Sequence, residues 1–314
     1  MVLIGIDIGG TQIKMGLVTA EGRLLSEMAE NTRVNEGYRA ILNQMNDMIL
    51  TLAEGHSAGF QDISGVGIGV PGTTSPEGMV YFANNLGWEN KDLEHDFGQL
   101  CQLPVFIEND ASMAAMGELM VGSLQGVENG ILITLGTGLG TGIVLHGKVF
   151  SGSHGIGRQA GHMKVGKNFY QCTCGGNGCL ETFASATALV RYYEHLRNNR
   201  TQSSPEADGK DLTSKEIMEA AMSGDQFASM AVDRLVHYLG IGIANLINIL
   251  DPEVIALGGG LAKAGDQLMI PLKQSVYEQL YDKKRFFTQI TTAKLENEAG
   301  MIGSAMYACQ NIHK

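Results

Sequence analysis

A cluster of one histidine and three cysteines is the strongest chemical signal in this sequence of 314 residues. The stretch GHMKVGKNFYQCTCGGNGCLE supplies His162, Cys172, Cys174 and Cys179. One imidazole and three thiolates form the closed tetrahedral ligand set of structural zinc, which leaves no position open for a catalytic water. Because three of the five cysteines crowd together here, metal ligation is favoured over a disulfide framework, and we expect a reducing, cytoplasmic compartment.

The zinc histidine has a second ring nitrogen that needs a partner. If one nitrogen of His162 binds zinc, the other carries a proton and must donate it to an acceptor. A hydroxyl group of a bound substrate would serve, with Glu181, two residues after Cys179, as a second contact. Zinc would then hold a substrate-recognition loop in place and take no part in chemistry.

A short run of polar residues follows the predicted strand VFI. It reads Glu108-Asn109-Asp110 and precedes a helix rich in small residues. Phosphoryl transfer to a hydroxyl requires positioning, charge neutralisation and one carboxylate to accept the hydroxyl proton. Asp110 fits that role, and Asn109 offers both a donor and an acceptor to the substrate that carries the hydroxyl. From these residues alone, the alternative that Asp110 only caps the helix beginning at Ala111 is equally open.

The first glycine turn of the chain suits phosphate binding. In DIGGTQIK, Asp7 ends a strand, where its carboxylate can hold Mg²⁺ directly or through water. Backbone N–H groups in such a turn point inward, and glycines allow phosphate oxygens to approach closely. The candidate phosphate ligands are Thr11, the amides near Gly9 and Gly10, and Lys14. A structural hairpin with a buried capping aspartate is the alternative.

Two further glycine turns also follow apolar strands. GTGLGTG follows GILITL, and its candidate phosphate-binding residues are Gly136, Thr137 and Gly138. VIALGGGLA contains three glycines that suit either an adenosine contact or a plain β–α turn: Gly258, Gly259 and Gly260.

Two familiar nucleotide-binding patterns do not apply. Gly67, Gly69 and Gly72 satisfy GxGxxG, but Pro71 and TTSPEG lie there, so no helix begins at this turn to face a pyrophosphate. The sequence lacks GxxxxGK[ST], which excludes a P-loop protein.

Hydrophobic periodicity predicts an α/β chain. Helical spacing of apolar residues predicts a helix over 37–55 and two later ones, in SATALVRYYEHLRN and FASMAVDRLVHYLGIGIANLINIL. Strands are predicted at VLIGIDIGG, QIKMGLVT, RLLSEMAE and ISGVGIGVPG. Segment 198–210 is predicted to be a surface loop.

An internal repeat is visible in two of these segments. VLIGIDIGGTQIKMGLV and GILITLGTGLGTGIVL share a strand–turn–strand pattern. Such a repeat predicts two similar α/β domains, each offering a glycine-lined hairpin to a shared cleft. Chance similarity of two glycine-rich hairpins is the alternative.

Composition excludes several classes of protein. Hydrophobic residues make up 44% and charged residues 18%, as in ordinary globular proteins. The net charge of −11 argues against a nucleic-acid partner, because such binding needs clustered Lys and Arg. No apolar run approaches the roughly 20 residues that span a bilayer, and the N-terminus lacks the basic region of a signal peptide. We therefore expect no membrane association.

Taken together, these motifs resemble those of the ROK family (repressors, open reading frames and sugar kinases), within the actin-like and hexokinase-like ATPases. Each piece alone is unspecific, but the combination is highly specific. NEAGMIGSA near the C-terminus is also similar. The matching pieces, in family order, are DIGGT (7–11), GVPG (69–72), ENDA (108–111), GTGLGTG (136–142), GH (161–162), CTCGGNGCLE (172–181) and GGG (258–260).

The resemblance implies an α/β fold of two actin-like (ribonuclease H-like) domains flanking a nucleotide and sugar cleft, with a structural zinc loop. We expect a small domain over 1–118, completed by a C-terminal helix at about 299–314. A large domain over 119–298 would carry the zinc loop and the adenosine site. Family members are commonly homodimers that close on sugar binding.

The resemblance also implies roles for individual residues. Asp110 would be the catalytic base, and the cofactors would be ATP, catalytic Mg²⁺ and structural Zn²⁺. The sugar would contact Gly72, Asn109, Asp110, Gln159, His162 and Glu181. ATP and Mg²⁺ would contact Asp7, Gly9, Gly10, Thr11, Lys14, Gly136, Thr137, Gly138, Gly258, Gly259 and Gly260.

One position departs from the family pattern. The family usually has Glu-x-Gly-His before the zinc histidine, and that Glu accepts hydrogen bonds from sugar hydroxyls. This chain has Gln159-Ala160-Gly161-His162. Gln keeps one acceptor but loses the charge, so a charge-assisted bond becomes neutral and ~1 kcal/mol weaker. We expect weakened or redirected sugar choice with unchanged phosphoryl chemistry.

The leading hypothesis is an ATP-dependent hexose kinase that phosphorylates glucose at its 6-hydroxyl. N-acetylmannosamine, N-acetylglucosamine and fructose stay open as substrates because of Gln159. A sugar-sensing regulator of the same family is disfavoured, because such proteins carry a helix-turn-helix ahead of the DIGGT strand, which here starts at residue 2. A non-catalytic sugar-binding protein is disfavoured because binding alone requires neither Asp7 nor Asp110.

Overall fold

The computed structural model describes residues 1–55, 59–75, 77–199 and 212–312, so most of the predicted loop 198–210 lies outside the described residues. The strands are β1 (Val2–Ile8), β2 (Gln12–Thr19), β3 (Leu24–Asn31), β4 (Ile63–Val70), β5 (Thr73–Thr74), β6 (Met79–Ala83), β7 (Trp88–Asp92), β8 (Val105–Asn109), β9 (Gly130–Leu135), β10 (Leu139–Leu145), β11 (Lys148–Phe150), β12 (Val254–Gly258) and β13 (Gln289–Thr292). The α-helices are α1 (Tyr38–Glu54), α2 (Leu93–Cys101), α3 (Asp110–Val121), α4 (Ala186–Asn198), α5 (Ser214–Met222), α6 (Gln226–Leu250), α7 (Asp266–Gln279) and α8 (Ala299–Asn311).

The first sheet brings the ends of three strands to one edge. Its order is β3-β2-β1-β4-β8, with β1, β4 and β8 parallel and β2 antiparallel to both of its neighbours. The register pairs Asp7 with Gly69 and Val70 with Asn109. Carboxyl ends of parallel strands meet at one edge, so the residues after β1 and β8 lie on the same side. The strands β5, β6 and β7 form a separate small sheet.

The second sheet repeats the order of the first. It runs β11-β10-β9-β12-β13, with β11 antiparallel to β10 and β13 parallel to β12. The hairpin β9–β10 therefore occupies the place that the hairpin β1–β2 has in the first sheet. This correspondence supports the predicted repeat of a strand–turn–strand unit.

Glycines let α8 approach the first sheet at van der Waals distance. A Cβ built on Gly67 would lie 1.7 Å from the carbonyl oxygen of Ser304, and one on Gly5 would lie 1.8 Å from that of Met301. Any larger residue would push the helix away from β1 and β4. The spacing that satisfies GxGxxG thus serves helix packing at Gly67, in agreement with its rejection as a dinucleotide fingerprint.

Helix α6 is the longest element, with 25 residues. Among the described residues, it alone has the length and hydropathy of a membrane span, and 56% of its most apolar window is buried in the fold. Core helices share these properties. The buried side chains lie on successive turns, including Leu235, Leu239, Ile243 and Leu246.

The chain folds into two compact units. The first comprises 1–132, 142–158 and 293–314, and the second comprises 133–141 and 159–292. Residues 119–132, 142–158 and 293–298 thus belong to the first unit, whereas the sequence assigned them to the large domain. Helix α3 packs on α8 within the first unit and continues past residue 118, which is why a division at that position would cut through a packed helix.

Candidate active site

The turn after β1 places Asp7 and Lys14 side by side in the first unit. They are direct partners in the antiparallel register of β1 and β2. Burial raises the pKa of Asp7, and the positive charge of Lys14 opposes that rise. The amide of Gly9 donates to the carbonyl oxygen of Gln12 at 2.9 Å, and Thr11 is exposed at the tip. A partly desolvated carboxylate beside an open glycine turn suits a cation and the phosphates it accompanies.

Asn109 and Asp110 form the junction between β8 and α3. Asn109 is the N-cap of α3, because its Oδ1 accepts from the amides of Ala111 and Ser112 at 3.1 and 3.2 Å. Its Nδ2 donates to the carbonyl oxygen of Gly72 at 3.0 Å and to Oδ1 of Asp110 at 2.8 Å. The side chain that caps α3 is therefore chiefly that of Asn109 and not that of Asp110.

The Asp110 carboxyl has the properties of a base that works near neutral pH. Burial and, second, the charge of Asp7 raise its pKa to about 6. The Ala111 amide, Arg158 and Asn109 oppose the rise. Asp110 Oδ1 accepts from the Ala111 amide at 2.8 Å, so its orientation is set by two donors.

A buried ion pair lies next to this junction, and the local sequence did not predict it. Glu108 is the penultimate residue of β8, and its Oε1 lies 2.7 Å from Nη2 of Arg158. The sequence placed Glu108 after the strand VFI, but β8 includes it, and its buried carboxylate requires a partner. Its partner lies 50 residues later in the chain, beyond the reach of local patterns.

The turn after β9 lies in the second unit, next to Glu181. Oε2 of Glu181 accepts from the amide of Leu139 at 3.1 Å, and a Cβ on Gly138 would lie 2.4 Å from the same oxygen. The amide of Ala186, at the start of α4, donates to the carbonyl oxygen of Gly136 at 2.8 Å. Glycine at 138 thus lets the turn fold onto Glu181.

A cavity of about 380 Å³ opens beside this turn. It is lined by Thr137, Ala186, Thr187, Val190, Arg191, Glu194 and Ser214. The predicted glycines after β12 lie near the same strand end, because a Cβ on Gly259 (φ +84°) would be 2.5 Å from the carbonyl oxygen of Leu135. The second unit therefore brings Gly136–Gly138 and Gly258–Gly260 together.

The predicted zinc ligands converge. The ligand atoms of His162, Cys172, Cys174 and Cys179 all lie within 4.8 Å of one another. Nδ1 of His162 is 3.6 Å from Sγ of Cys172, and Sγ of Cys174 is 3.6 Å from Sγ of Cys179. Tetrahedral zinc with bonds of about 2.0–2.3 Å separates its ligands by similar distances.

The donor chemistry also fits a cation. Burial raises the pKa of Cys172 to about 12, so a metal ion would be needed to keep this thiol ionised. A hydrogen bond from the backbone amide of Gly176 lowers the pKa of Cys174. Lys164 places its ammonium 2.7 Å from Sγ of Cys179, which adds a positive charge beside the thiolates.

Gln159 immediately precedes the short 3-10 helix that carries His162, the candidate zinc ligand. The amide of His162 donates to the carbonyl oxygen of Gln159 at 3.0 Å, and the Gln159 side chain is exposed. Because Nδ1 of His162 faces the sulfurs, its Nε2 is the nitrogen left for another partner.

Each unit thus assembles its own part of the predicted site. The first unit holds Asp7, Gly9, Gly10, Thr11, Lys14, Gly72, Asn109 and Asp110. The second holds Gly136, Thr137, Gly138, Gln159, His162, Glu181, Gly258, Gly259 and Gly260.

A family model described as the ROK family matches residues 3–311. The chain belongs to the ROK family. The glucokinase of Halalkalibacterium halodurans is 37% identical, covering 96% of this chain and 92% of that protein. The xylose repressor of Caldicellulosiruptor bescii is 32% identical, covering 96% of this chain and 76% of the repressor.

The solved structures agree with this assignment. A ROK family glucokinase from Streptomyces griseus, in complex with glucose and AMPPNP, has a TM-score of 0.84 and 35% identity, covering 99% of this chain and 100% of that one. The mixed α/β fold that was expected of a ROK sugar kinase is confirmed, and the Cys3His cluster is compatible with its structural zinc.

Proposed function

We propose that this ROK protein is an ATP-dependent hexose kinase that phosphorylates glucose at the 6-hydroxyl, with Asp110 as general base. The observation that carries the proposal is the Asp110 carboxyl itself. It is oriented by the Asn109 side chain and the Ala111 amide, and its pKa is about 6. Similarity to glucokinases over nearly the whole chain supports glucose as the sugar and ATP as the donor.

The transfer requires one proton acceptor. The sugar hydroxyl oxygen forms a bond to the γ-phosphorus, the bond to the β–γ bridging oxygen breaks, ADP leaves, and the hydroxyl proton moves to Asp110. A carboxylate with a pKa of about 6 is mostly ionised at pH 7 and is more basic than an exposed aspartate. Asn109 keeps Asp110 in place, and it would reach the sugar only by exchanging one of its two Nδ2 hydrogen bonds.

The glycine turns and Asp7 form the nucleotide site in this proposal. Mg²⁺ neutralises charge on the β- and γ-phosphates when bound, and Asp7 is the residue that would hold it. Thr11, Lys14 and the turn Gly136–Gly138 would contact phosphates. The adenosine would contact Gly258–Gly260, beside the cavity that Thr137 lines.

Sugar recognition is assigned to the residues that the resemblance to ROK sugar kinases implies. Asn109 and Asp110 would bind the hydroxyls near the transferred phosphate, beside Gly72. His162 would donate from Nε2, and Glu181 and Gln159 would accept. Because Gln159 is uncharged, N-acetylmannosamine, N-acetylglucosamine and fructose remain alternative substrates. Zinc would hold the loop that carries His162.

The substitution Asp110→Asn tests the proposal. We expect kcat to fall by about 10²- to 10⁴-fold, since general base catalysis contributes that much, while the Kd for glucose changes little. A coupled ADP-release assay and calorimetry measure the two quantities. Asp92→Asn is the matched control, because Asp92 also begins a helix in the first unit but caps α2 through His95. An unchanged kcat in Asp110→Asn would show that Asp110 is not the general base.

A non-catalytic, sugar-sensing ROK protein is the second candidate, because the xylose repressor matches 96% of the chain. A panel of hexoses and xylose distinguishes the two functions. Turnover of any sugar with ATP supports the kinase, whereas binding of a sugar without ADP release supports the sensor.

The assembly and its location are also part of the proposal. We expect a cytoplasmic homodimer, as is common in the family. Light scattering coupled to size exclusion should give twice the mass of the 33.6 kDa chain, and a monomer at micromolar concentration would contradict it.

A further inference from the structure

The carboxylate of Glu108 binds four groups from three parts of the first unit. Its Oε1 accepts from the amide of Asn109 at 2.6 Å, from Oγ1 of Thr74 at 2.9 Å and from Nη2 of Arg158 at 2.7 Å. Its Oε2 accepts from the hydroxyl of Ser151. One buried carboxylate therefore joins the end of β8, strand β5 and the loop 151–158.

Arg158 adopts an unfavourable state to reach this carboxylate. Its backbone has φ +76°, a region that costs non-glycine residues free energy. Its side chain is 0% exposed, and its Nε and Nη1 have no hydrogen-bond partner within the described part of the chain. Burial also lowers the pKa of its guanidinium, against the attraction of Glu108. Buried ion pairs with unpaired donors contribute little net stability, so stability alone is a weak reason for Arg158.

The loop 151–158 is attached to Glu108 at both of its ends. Ser151 begins it and Arg158 ends it, and both donate to the same carboxylate. Between them, Gly155 (φ +71°) packs so closely that a Cβ would lie 2.0 Å from the carbonyl oxygen of Thr74. The next residue in the chain is Gln159.

A single hydrogen bond also joins the Glu108 carboxylate to the candidate catalytic residues. The amide that it accepts belongs to Asn109, whose side chain spans the carbonyl oxygen of Gly72 and Oδ1 of Asp110. If Glu108 lost its cation, its buried carboxylate would lack an opposite charge and would no longer be stabilised in this position. The Asn109 amide would then lose a charged acceptor, and the orientation of Asp110 would become less defined.

We propose that Arg158 and Glu108 are positioning residues that hold Asn109 and Asp110 in the geometry for phosphoryl transfer. The inference rests on the proposed kinase function. Neither residue touches the reacting atoms in this account. They act through the backbone of Asn109, and they tie the loop that precedes Gln159 to the same carboxylate.

Three variants test the inference. Arg158→Met keeps an unbranched side chain, shorter than that of Arg, and removes the charge, Arg158→Lys keeps the charge, and Glu118→Gln is the matched control. Glu118 is also a fully buried glutamate of the first unit that accepts backbone amides, those of Ser123, Lys294 and Leu295. It lies two helical turns along α3 from Asp110 and is not part of the site.

We expect Arg158→Met to lower kcat by about 10- to 100-fold, because small misplacements of catalytic groups cost that much, with the KM for ATP within about twofold of the parent. Arg158→Lys should recover most of the lost kcat. Glu118→Gln should lower Tm as much as Arg158→Met or more, with kcat unchanged at a temperature where all variants are folded.

Two results would overturn the inference alone. The first is that the parent is active and Arg158→Met has the same kcat. The second is that Arg158→Met raises only the KM for the sugar and leaves kcat unchanged. If Arg158→Met does not fold, Glu108→Gln with Arg158→Met replaces both charges and leaves no unpaired ion. This double variant should also have a lower kcat, and parental kcat in it would overturn the inference. A parent without turnover on any sugar overturns the proposed function and this inference together.

Discussion

At the scale of single residues, Asp110 combines orientation with a shifted acidity. Two donors fix its Oδ1, while burial and the charge of Asp7 raise its pKa to about 6. The two effects suit a base, because the carboxyl is ionised at neutral pH and its proton affinity is above that of ordinary aspartate. Both have consequences that can be measured.

If Asp110 is the base, kcat/KM for glucose should fall as the pH drops below about 6. The reason is that the protonated carboxyl cannot accept the hydroxyl proton. A pH–rate profile between pH 4.5 and 8.5, measured below the temperature of unfolding, checks this. An acid limb set near the ordinary aspartate value would contradict the assignment.

The same shift affects stability. A raised pKa means that the folded state binds the proton of Asp110 more tightly than the unfolded state does. Protonation of Asp110 therefore stabilises the fold fully at a pH below its ordinary pKa of 3.8, and this stabilisation is lost as the pH rises through about 6. Asp110→Asn should therefore have a higher Tm than the parent at pH 7.5, and the difference should shrink toward pH 4. Differential scanning fluorimetry across this range measures it. A lower Tm at pH 7.5 would show that ionised Asp110 stabilises the fold.

Gln159 is the residue on which sugar choice depends in our proposal. Gln159→Glu restores a charged acceptor and should raise kcat/KM for glucose by about fivefold, from a gain of about 1 kcal/mol. The exposed side chain leaves room for the change. Competition between glucose and N-acetylmannosamine measures the selectivity, with Gln125→Glu as a surface control. A loss of glucose activity would mean that Gln159 is adapted to another sugar.

At the scale of elements, the zinc loop is held by more than its metal ligands. The side chains of Asn168 and Tyr170 both donate to the carbonyl oxygen of Thr182, at 2.7 and 2.8 Å. An isolated β-bridge joins Lys164 to Cys179. These bonds bring the two halves of the loop together, and the four ligands converge between them.

Cys174→Ser should lower both the zinc content and Tm, because the hydroxyl is a poor ligand for zinc and the loop then loses a fixed point. Plasma mass spectrometry and calorimetry measure the two effects. Cys309→Ser is the control, since Cys309 is a free cysteine on α8 outside the cluster. A Cys174→Ser variant with full metal content and parental Tm would rule out a structural site.

At the scale of the whole molecule, two sheets of the same strand order each carry one glycine hairpin. Each compact unit gathers part of the candidate site. In a kinase of this design, sugar and nucleotide bind the folded state only, so both must stabilise it.

Glucose at about 100 times its Kd should add about 2.7 kcal/mol to the free energy of unfolding and raise Tm by about 5 °C. AMPPNP with Mg²⁺ should give a further increase. Fluorimetry with L-glucose as the control sugar checks the effect. A Tm that rises with AMPPNP but with no hexose would indicate that the phosphoryl acceptor is not a hexose.

Local spacing in the sequence was enough to predict the candidate zinc ligands, the buried strands beside Asp7 and Asn109, and the repeat of the strand–turn–strand unit. These features depend on neighbours a few residues apart, where periodicity and ligand spacing are informative. The convergence of His162 with the three cysteines is compatible with the zinc site that this spacing predicts.

Only the tertiary structure decided the rest. It assigned the capping of α3 to Asn109, gave Gly67 a role in packing against α8, and paired Glu108 with Arg158 across 50 residues of sequence. It also raised the pKa of Asp110, because that shift comes from burial and from Asp7, more than a hundred residues earlier in the chain. Burial and charge depend on groups that are close in space but far apart in the chain. A local pattern of residues does not show which of these groups will be neighbours.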